Sequence, residues 1–158
     1  MNHAFIDTAH ETGAGEESPL YEQDFQRWLE AQAAHLRARQ FALLDLENLV
    51  EEIETMAGNQ RRELKHRLET LMMHSLKCQF QPHRKSGSWL RAVTEQRFAI
   101  DEMLKQSPSL RRKLEAMASA AYPKARRLAA DETMMPIKTF PPEMPFSIGQ
   151  IQDEDFVP

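Results

Sequence analysis

The stretch from Asp45 to Phe80 constrains the fold of this chain more than any other feature of its sequence. Its 36 residues contain no proline, and apolar residues recur in it every three or four positions. At about 100° per residue, these positions fall within one arc of a helical wheel. The members of this apolar stripe are Leu46, Leu49, Val50, Ile53, Met56, Ala57, Leu64, Leu68, Leu71 and Ser75. The pattern predicts one long α-helix whose stripe faces a core along its whole length.

Both ends of this helix carry recognisable signals. Asp45 is a suitable N-cap, because its carboxylate can accept a hydrogen bond from a free amide of the first turn. Pro82 ends the helix, because a proline pushes the residue before it out of the α region. Gly58 costs about 1 kcal/mol relative to alanine inside a helix. We therefore expect a kink or a short break at Gly58 and Asn59.

Shorter periodic segments on either side also predict helices. One covers residues 21–37, a second runs from a cap at Ser88 to about residue 105, and a third starts at Pro108. Pro123 should kink this last helix or divide it in two. Only 5 of the 158 residues are glycine, which also favours helix over strand. We predict an all-α, single-domain bundle of four to five helices.

The two ends of the chain differ from this helical body. Residues 1–19 are acidic, polar and contain glycine, so we expect a disordered tail. Residues 134–158 are rich in proline and cannot form a long helix, but they carry several large apolar side chains. We predict an ordered extended strap there, with a short helical turn near residues 147–151. The helical domain then covers residues 20–158.

Composition excludes several classes of protein. No apolar run approaches the roughly 18 residues of a membrane span, and the N-terminus lacks the basic and apolar segments of a secretory signal. Cys78 is the single cysteine, so no intramolecular disulfide can form. These features favour a cytoplasmic protein that does not bind membranes. The sequence has no phosphate-binding glycine loop, no nucleophile elbow and no zinc-spaced cysteines, and we expect no cofactor.

The acidic residues of the central helix raise the question of a carboxylate-bridged metal centre. Such centres in helical bundles use two Glu-x-x-His pairs and two further carboxylates. The central helix offers one such pair, Glu63 and His66, beside the acidic residues of its first turns. We therefore predict no metal and interpret the acidic residues as a solvated helix face.

Arg67 and His74 are the candidate catalytic residues, with Glu63 as a possible partner of Arg67. Seven residues apart, the two side chains lie on one face of the helix. The spacing resembles the Arg-x4–6-His signature of the higher-eukaryote-and-prokaryote nucleotide-binding helical domains, many of which are metal-free ribonucleases. There His74 would transfer a proton and Arg67 would hold a phosphate. The competing interpretation is a boundary histidine bonded to a neighbouring helix.

A basic loop follows the central helix and is the candidate anion site. The net charge of −4 combines acidic ends with a basic middle, residues 61–113. The loop and the start of the next helix could offer cationic side chains and free amides to a phosphate or a nucleic acid. The candidate residues are His83, Arg84, Lys85, Ser88, Trp89 and Arg91. Trp89 could stack on a base, or it could be a core residue.

Four stretches together resemble one known family. They are YEQDFQRWL, DLENLVEEIE, LKCQFQPHRKSGSWLRAVTEQR and TFPPEMPFSIGQIQDEDFVP. In this order and spacing they resemble the bacterial family known as domain of unknown function 29, over nearly all of residues 21–158. The resemblance implies an all-helical cytoplasmic protein and implies no activity.

The function that we favour from sequence is a non-catalytic protein-interaction or regulatory module. Nine methionines and several apolar positions suit a protein partner or self-association. Two alternatives stay open: a nucleic-acid or phosphate binder that uses the basic loop, and a ribonuclease-like enzyme that uses Arg67 and His74. The sequence does not decide whether the chain is an enzyme, although it leans against one.

Overall fold

A computed structural model describes residues 19–158 of the chain. Over that range it contains six α-helices, four short 3₁₀ helices and no strand, which confirms the all-α class. The α-helices are α1 (Pro19–Gln23), α2 (Phe25–Arg37), α3 (Leu46–Phe80), α4 (Gly87–Gln106), α5 (Leu114–Thr133) and α6 (Ile148–Gln152). None of these helices has both the length and the apolar character of a membrane span. The predicted disordered tail lies outside the described residues, except Pro19, where α1 begins.

Two compact units make up the chain, Met1–Ala57 and Gly58–Pro158, and α3 contributes residues to both. In the first unit, α2 and residues 46–57 of α3 form an antiparallel hairpin. The Tyr21 hydroxyl donates to Glu52 at 2.6 Å, and the Trp28 indole Nε1 donates to Asp45 at 3.0 Å. From Tyr21 to Trp28 the chain moves forward, while the bonded residue moves back from Glu52 to Asp45. The two arms of the hairpin therefore run in opposite directions.

Acidic caps start both helices of the hairpin. The Asp24 carboxylate accepts a hydrogen bond from the Arg27 amide at 3.0 Å, at the start of α2. Asp45 caps α3, where its carboxylate accepts from the Asn48 amide at 3.4 Å and the Asn48 side chain at 2.8 Å. The predicted N-cap is therefore confirmed. Trp28, which is fully buried, fixes Asp45 from the opposite helix.

Residues 58–80 of α3 pack with α4 and α5 to form the core of the second unit. The stripe predicted on α3 is buried here, as expected from its spacing. The fully or nearly fully buried residues include Leu64, Leu68, Leu71, Leu76, Val93, Ile100, Leu104, Leu114, Ala118, Ala121, Ala125 and Phe140. One side of α5 is lined by the fully buried alanines Ala118, Ala121, Ala125 and Ala129.

The C-terminal strap is held by side chains that donate to its backbone carbonyls. The Arg97 guanidinium donates to the carbonyls of Ile151 at 3.1 Å, Phe156 at 2.7 Å and Gln150 at 3.2 Å. Arg126 donates to the Phe140 carbonyl at 2.9 Å and to the Ile137 carbonyl at 3.0 Å. At the predicted helical turn, Ser147 and Gln150 form a capping box that starts α6.

Three local predictions need correction. Of the kink or short break expected at Gly58 and Asn59, the break is absent, because α3 is continuous from Leu46 to Phe80. Ser86, rather than Ser88, caps α4 with its side chain and has the extended backbone of an N-cap. The segment that begins at Pro108 is a 3₁₀ helix, and α5 then continues through Pro123 without division. Ala121, Tyr122 and Ala125, on either side of the proline, are buried.

Candidate functional sites

Part of the apolar stripe on α3 is exposed. In the first unit, Leu46 is 62% exposed, Val50 54%, Ile53 64% and Met56 68%. The prediction that the stripe faces a core along its whole length is therefore wrong for residues 46–57. The physical reason is that α3 turns a polar edge toward α2.

That polar edge consists of Asp45, Asn48 and Glu52. Asp45 accepts from Trp28, Asn48 is buried, and Glu52 accepts from Tyr21. The hydrogen bond to Glu52 is the main reason why the pKa of Tyr21 is raised to about 12. The hairpin is thus joined by polar contacts around one buried tryptophan, whose ring also packs against Tyr21 and Phe25. Its other large apolar side chains are left largely exposed.

Helix α2 has an exposed apolar stripe of its own. Phe25 is 44% exposed, Leu29 38% and Leu36 47%, at helical spacing. At about 100° per residue, these three side chains lie roughly 40–80° from the direction of Trp28 and Gln32, the residues that contact Asp45. On α3, the exposed stripe of Leu46, Val50, Ile53 and Met56 lies roughly 40–160° from the polar edge, in the same rotational sense.

The two stripes form one surface. Viewed from one end, antiparallel helices rotate in opposite senses, so offsets of the same sign bring both stripes to the same side of the hairpin. We call this surface the hairpin face. Its members are Phe25, Leu29, Leu36, Leu46, Val50, Ile53 and Met56. The connecting 3₁₀ helix, Phe41–Leu43, also exposes Phe41 and Leu43, by 61% and 57%.

The candidate catalytic residues occupy different surroundings. The Arg67 guanidinium pairs with Glu63 at 2.7 Å and donates to Gln96 at 3.2 Å. His74 is half-buried, and its Nδ1 is buried without a hydrogen-bond partner among the described residues. Burial, and after it the nearby charge of Lys77, lower the pKa of His74, while Glu132 opposes them. The imidazole is therefore stabilised in its neutral form.

A cavity of about 750 Å³ lies between α3 and α4 in the second unit. Its lining residues are Asn59, Gln60, Arg62, Glu63, His66, Arg67, Ala99, Glu102, Met103 and Gln106. Arg67 and Glu63 contribute to it, but the histidine in its wall is His66, and His74 is not a lining residue. The structure does not bring Arg67 and His74 to this cavity together. Catalysis by the pair stays a prediction.

The basic loop is partly engaged by the rest of the second unit. His83 and Arg84 are exposed in a 3₁₀ turn. Lys85 donates to the main-chain oxygen of Pro158 at 2.6 Å. Ser86, which lies in the same basic segment of the sequence, accepts from the Trp89 amide and lies 2.8 Å from the Ser88 hydroxyl. The Ser86 side chain thus occupies part of the helix start that was expected to offer free amides.

The remaining two candidates of this region lie on α4. Trp89 is half-buried, and the Lys77 Nζ lies 4.3 Å from the centroid of its ring. Lys77 is itself buried and forms an ion pair with Glu132. Arg91 pairs with Glu95 at 3.5 Å on the exposed side of the helix. Anion binding by this loop stays a prediction.

Metal ligands do not converge within the described residues. Over residues 19–158, no three His, Cys, Asp or Glu side chains lie close enough to hold one ion. Glu63 is paired with Arg67, and His66 lies 3.9 Å from Glu69, which in turn pairs with Lys124 at 2.7 Å. These carboxylates serve ion pairs of the second unit.

The fold and these sites define an all-helical protein with an apolar surface on a helical hairpin. The chain belongs to the family described as Domain of unknown function DUF29, whose model matches residues 20–157. This match confirms the resemblance inferred from the sequence. No curated protein and no solved structure matches the chain.

Proposed function

We propose that this protein is a non-catalytic interaction module that binds another polypeptide through the hairpin face. The observation that carries the proposal is the exposure of seven large apolar side chains, from 38% to 68%, on one side of two neighbouring helices. Single exposed apolar residues are normal on protein surfaces, but a contiguous patch is typical of an interaction site. The proposal includes a cytoplasmic location, where Cys78 stays reduced.

The composition of the hairpin's own core supports the proposal. Among the hydrophobic residues buried in residues 19–158, Trp28 is the one that lies in the first unit. Apolar burial contributes about 25 cal/mol per Å² removed from water. A hairpin that buries so little of its apolar surface has much to gain from a bound polypeptide.

Site-specific photo-crosslinking tests this proposal. Benzoylphenylalanine replaces Ile53 on the hairpin face, and as a matched control it replaces Ala116, an exposed residue of α5. After irradiation in the native cell extract, we expect an adduct with a discrete polypeptide from position 53 and none from position 116. Mass spectrometry of the adduct identifies the second polypeptide.

A second substitution distinguishes a specific complex from adhesion of an apolar surface. Val50→Glu places a charge in the middle of the hairpin face, next to the probe at position 53 on the same stripe. The adduct should disappear, while the far-ultraviolet circular dichroism of the purified protein stays unchanged. An Ile53 probe that gives no discrete adduct, or one that persists in the Val50→Glu background, would contradict the interaction role.

A further inference from the structure

Exposed carboxylates border the hairpin face on α3. Glu47 and Glu54 follow Val50 around the helical wheel, about 40–60° beyond it, and Glu51 lies one step further. All three are exposed, and none forms an ion pair among the described residues. Residues 40–60 contain five carboxylates and no lysine or arginine.

This acidic border selects among the possible occupants of the hairpin face. A second copy would bring its own border of Glu47, Glu51 and Glu54, and pairing like charges across an interface is unfavourable. Residues 1–18 of the chain carry four carboxylates and no lysine or arginine, so they are repelled in the same way. An anionic membrane surface is also a poor match.

The shape of the surface also limits the kind of partner that it can bind. Two antiparallel helices with apolar stripes on the same side form a shallow groove that accepts the apolar face of a third helix. On such a helix, residues beside the apolar stripe come within reach of the bordering carboxylates. Lysine or arginine there would form ion pairs at the edge of the contact, where they favour the correct partner more than they add affinity.

We infer that the ligand of the hairpin face is a cationic amphipathic helix, in which apolar residues fill the groove and lysine or arginine side chains meet Glu47, Glu51 and Glu54. This inference rests on the interaction role proposed above and adds the chemistry of the partner. The hairpin face supplies most of the affinity, and the acidic border supplies selectivity that weakens as salt rises.

Binding of designed peptides to the full-length protein tests this inference. The probe is a fluorescent leucine/lysine peptide of about 18 residues, patterned as an amphipathic helix. One control peptide has the same composition in scrambled order, and another has glutamate in place of each lysine. Fluorescence anisotropy should show at least tenfold tighter binding of the patterned leucine/lysine peptide than of either control, with an affinity that falls as salt increases.

Protein variants assign the two contributions to named residues. The triple substitution Glu47→Gln, Glu51→Gln, Glu54→Gln keeps the shape of the surface and removes its charge. It should weaken binding about tenfold at low salt and reduce the salt dependence, as expected for three exposed ion pairs. The double substitution Val50→Ser, Ile53→Ser should abolish binding. Glu115→Gln on α5 is the matched control and should bind like the unmodified protein.

The outcomes separate this inference from the proposal on which it rests. If the triple glutamine variant binds the leucine/lysine peptide as tightly as the unmodified protein, the acidic border does not select the partner and the inference is overturned. The inference is also overturned if the glutamate peptide binds as tightly as the leucine/lysine peptide. In both cases the crosslink from position 53 would still support an interaction role. An adduct of twice the chain mass would instead identify a second copy as the occupant and overturn the inference.

Discussion

At the scale of single residues, Asp45 makes the most consequential set of contacts in the hairpin. Its carboxylate caps α3 and accepts hydrogen bonds from the buried Trp28 indole and the Asn48 side chain. Burial alone would raise the pKa of Asp45, but the hydrogen bonds from Asn48 and Trp28 outweigh it and hold the pKa below the ordinary value of 3.8. The stabilisation is therefore complete above about pH 4 and is lost as pH falls through the folded-state pKa.

Replacing Asp45 by alanine should destabilise the hairpin. The substitution removes the cap and leaves the Trp28 Nε1 buried without an acceptor, for an expected loss of about 1–3 kcal/mol at neutral pH. This loss in the free energy of unfolding is measured by urea denaturation, with Trp28 fluorescence as the signal in a Trp89→Phe background. The surface variant Glu47→Gln should leave the midpoint unchanged. An Asp45→Ala midpoint equal to that of the control would contradict the role assigned to Asp45.

His74 should make the stability of the protein sensitive to mild acid. Its pKa is lowered by burial and then by Lys77, so the unfolded chain binds a proton more readily than the folded protein does. Stability is therefore highest above the ordinary pKa of 6.5 and decreases as pH falls below it, until the folded-state pKa is passed. We expect His74→Leu to flatten this dependence between about pH 7 and pH 5.

The same substitution has a second expected effect. At neutral pH, His74→Leu removes a buried nitrogen that lacks a hydrogen-bond partner, so it should be neutral or stabilising by up to about 1–2 kcal/mol. Thermal unfolding over a pH series measures both effects. The exposed His83→Asn variant is the control and should keep the original profile. A His74→Leu profile as steep as the original would show that other groups cause the acid sensitivity.

At the scale of elements, Gly58 is the residue of α3 with the lowest helix propensity. Its backbone is helical, and a Cβ added there would meet the Arg62 guanidinium at 3.5 Å, an ordinary contact with a flexible side chain. Gly58→Ala should therefore stabilise the protein by about 0.5–1 kcal/mol, since glycine loses more entropy in a helix. Chemical denaturation measures the gain, with Ala57→Gly as the reverse control. A loss of stability in Gly58→Ala would mean that α3 needs a glycine here.

The strap depends on one buried guanidinium. Arg97 is 7% exposed and donates to three strap carbonyls. Arg97→Ala leaves those carbonyls without their donor, for an expected cost of at least about 2 kcal/mol. Arg97→Lys should be intermediate, because an ammonium cannot reproduce the planar fork. Hydrogen exchange of residues 148–158 should rise from the unmodified protein to Arg97→Lys and again to Arg97→Ala, and Arg91→Ala should leave it unchanged. Equal protection in all three would show that the strap does not depend on Arg97.

The sequence predicted both limits of α3 and the helical turn of the strap, because those limits have local causes. Asp45 and Pro82 bound α3 through a cap and a steric clash, and Ser147 starts the turn in the strap, all within a few residues. Ser86 and Ser88 offer the same cap chemistry two residues apart, so composition did not separate them. The burial of Arg97 was not predictable, because its acceptors lie more than 50 residues away in the chain.

The candidate sites depended on information that periodicity does not contain. The spacing of Leu46, Val50 and Ile53 correctly placed them on one face of α3, but spacing does not say what covers a face. In the same way, Arg67 and His74 share a helix face, yet only Arg67 lines the cavity beside α4. The hydrogen bond from Lys85 to the main-chain oxygen of Pro158 could not be predicted, because it depends on the path of the strap in the folded protein.

At the scale of the whole molecule, the two units differ in how they are stabilised. The second unit buries a cluster of 20 hydrophobic residues. In the described part of the first unit, Trp28 is the one buried hydrophobic residue, and it packs against the rings of Tyr21 and Phe25 and donates to Asp45. Hydrophobic burial is the main favourable contribution to folding, so the first unit should open more readily. The same difference explains why a polypeptide on the hairpin face would stabilise the first unit in particular.

Hydrogen–deuterium exchange of the full-length protein tests this difference directly. In the free protein, amides of residues 27–37 and 49–57 should exchange faster than those of residues 68–78, because opening the hairpin exposes little buried apolar surface. Adding the patterned leucine/lysine peptide should slow exchange in the first unit and leave the second unit unchanged. The Val50→Ser, Ile53→Ser variant should show no such slowing. Equal protection of both units in the free protein would mean that they unfold together and that the exposed face is not a source of instability.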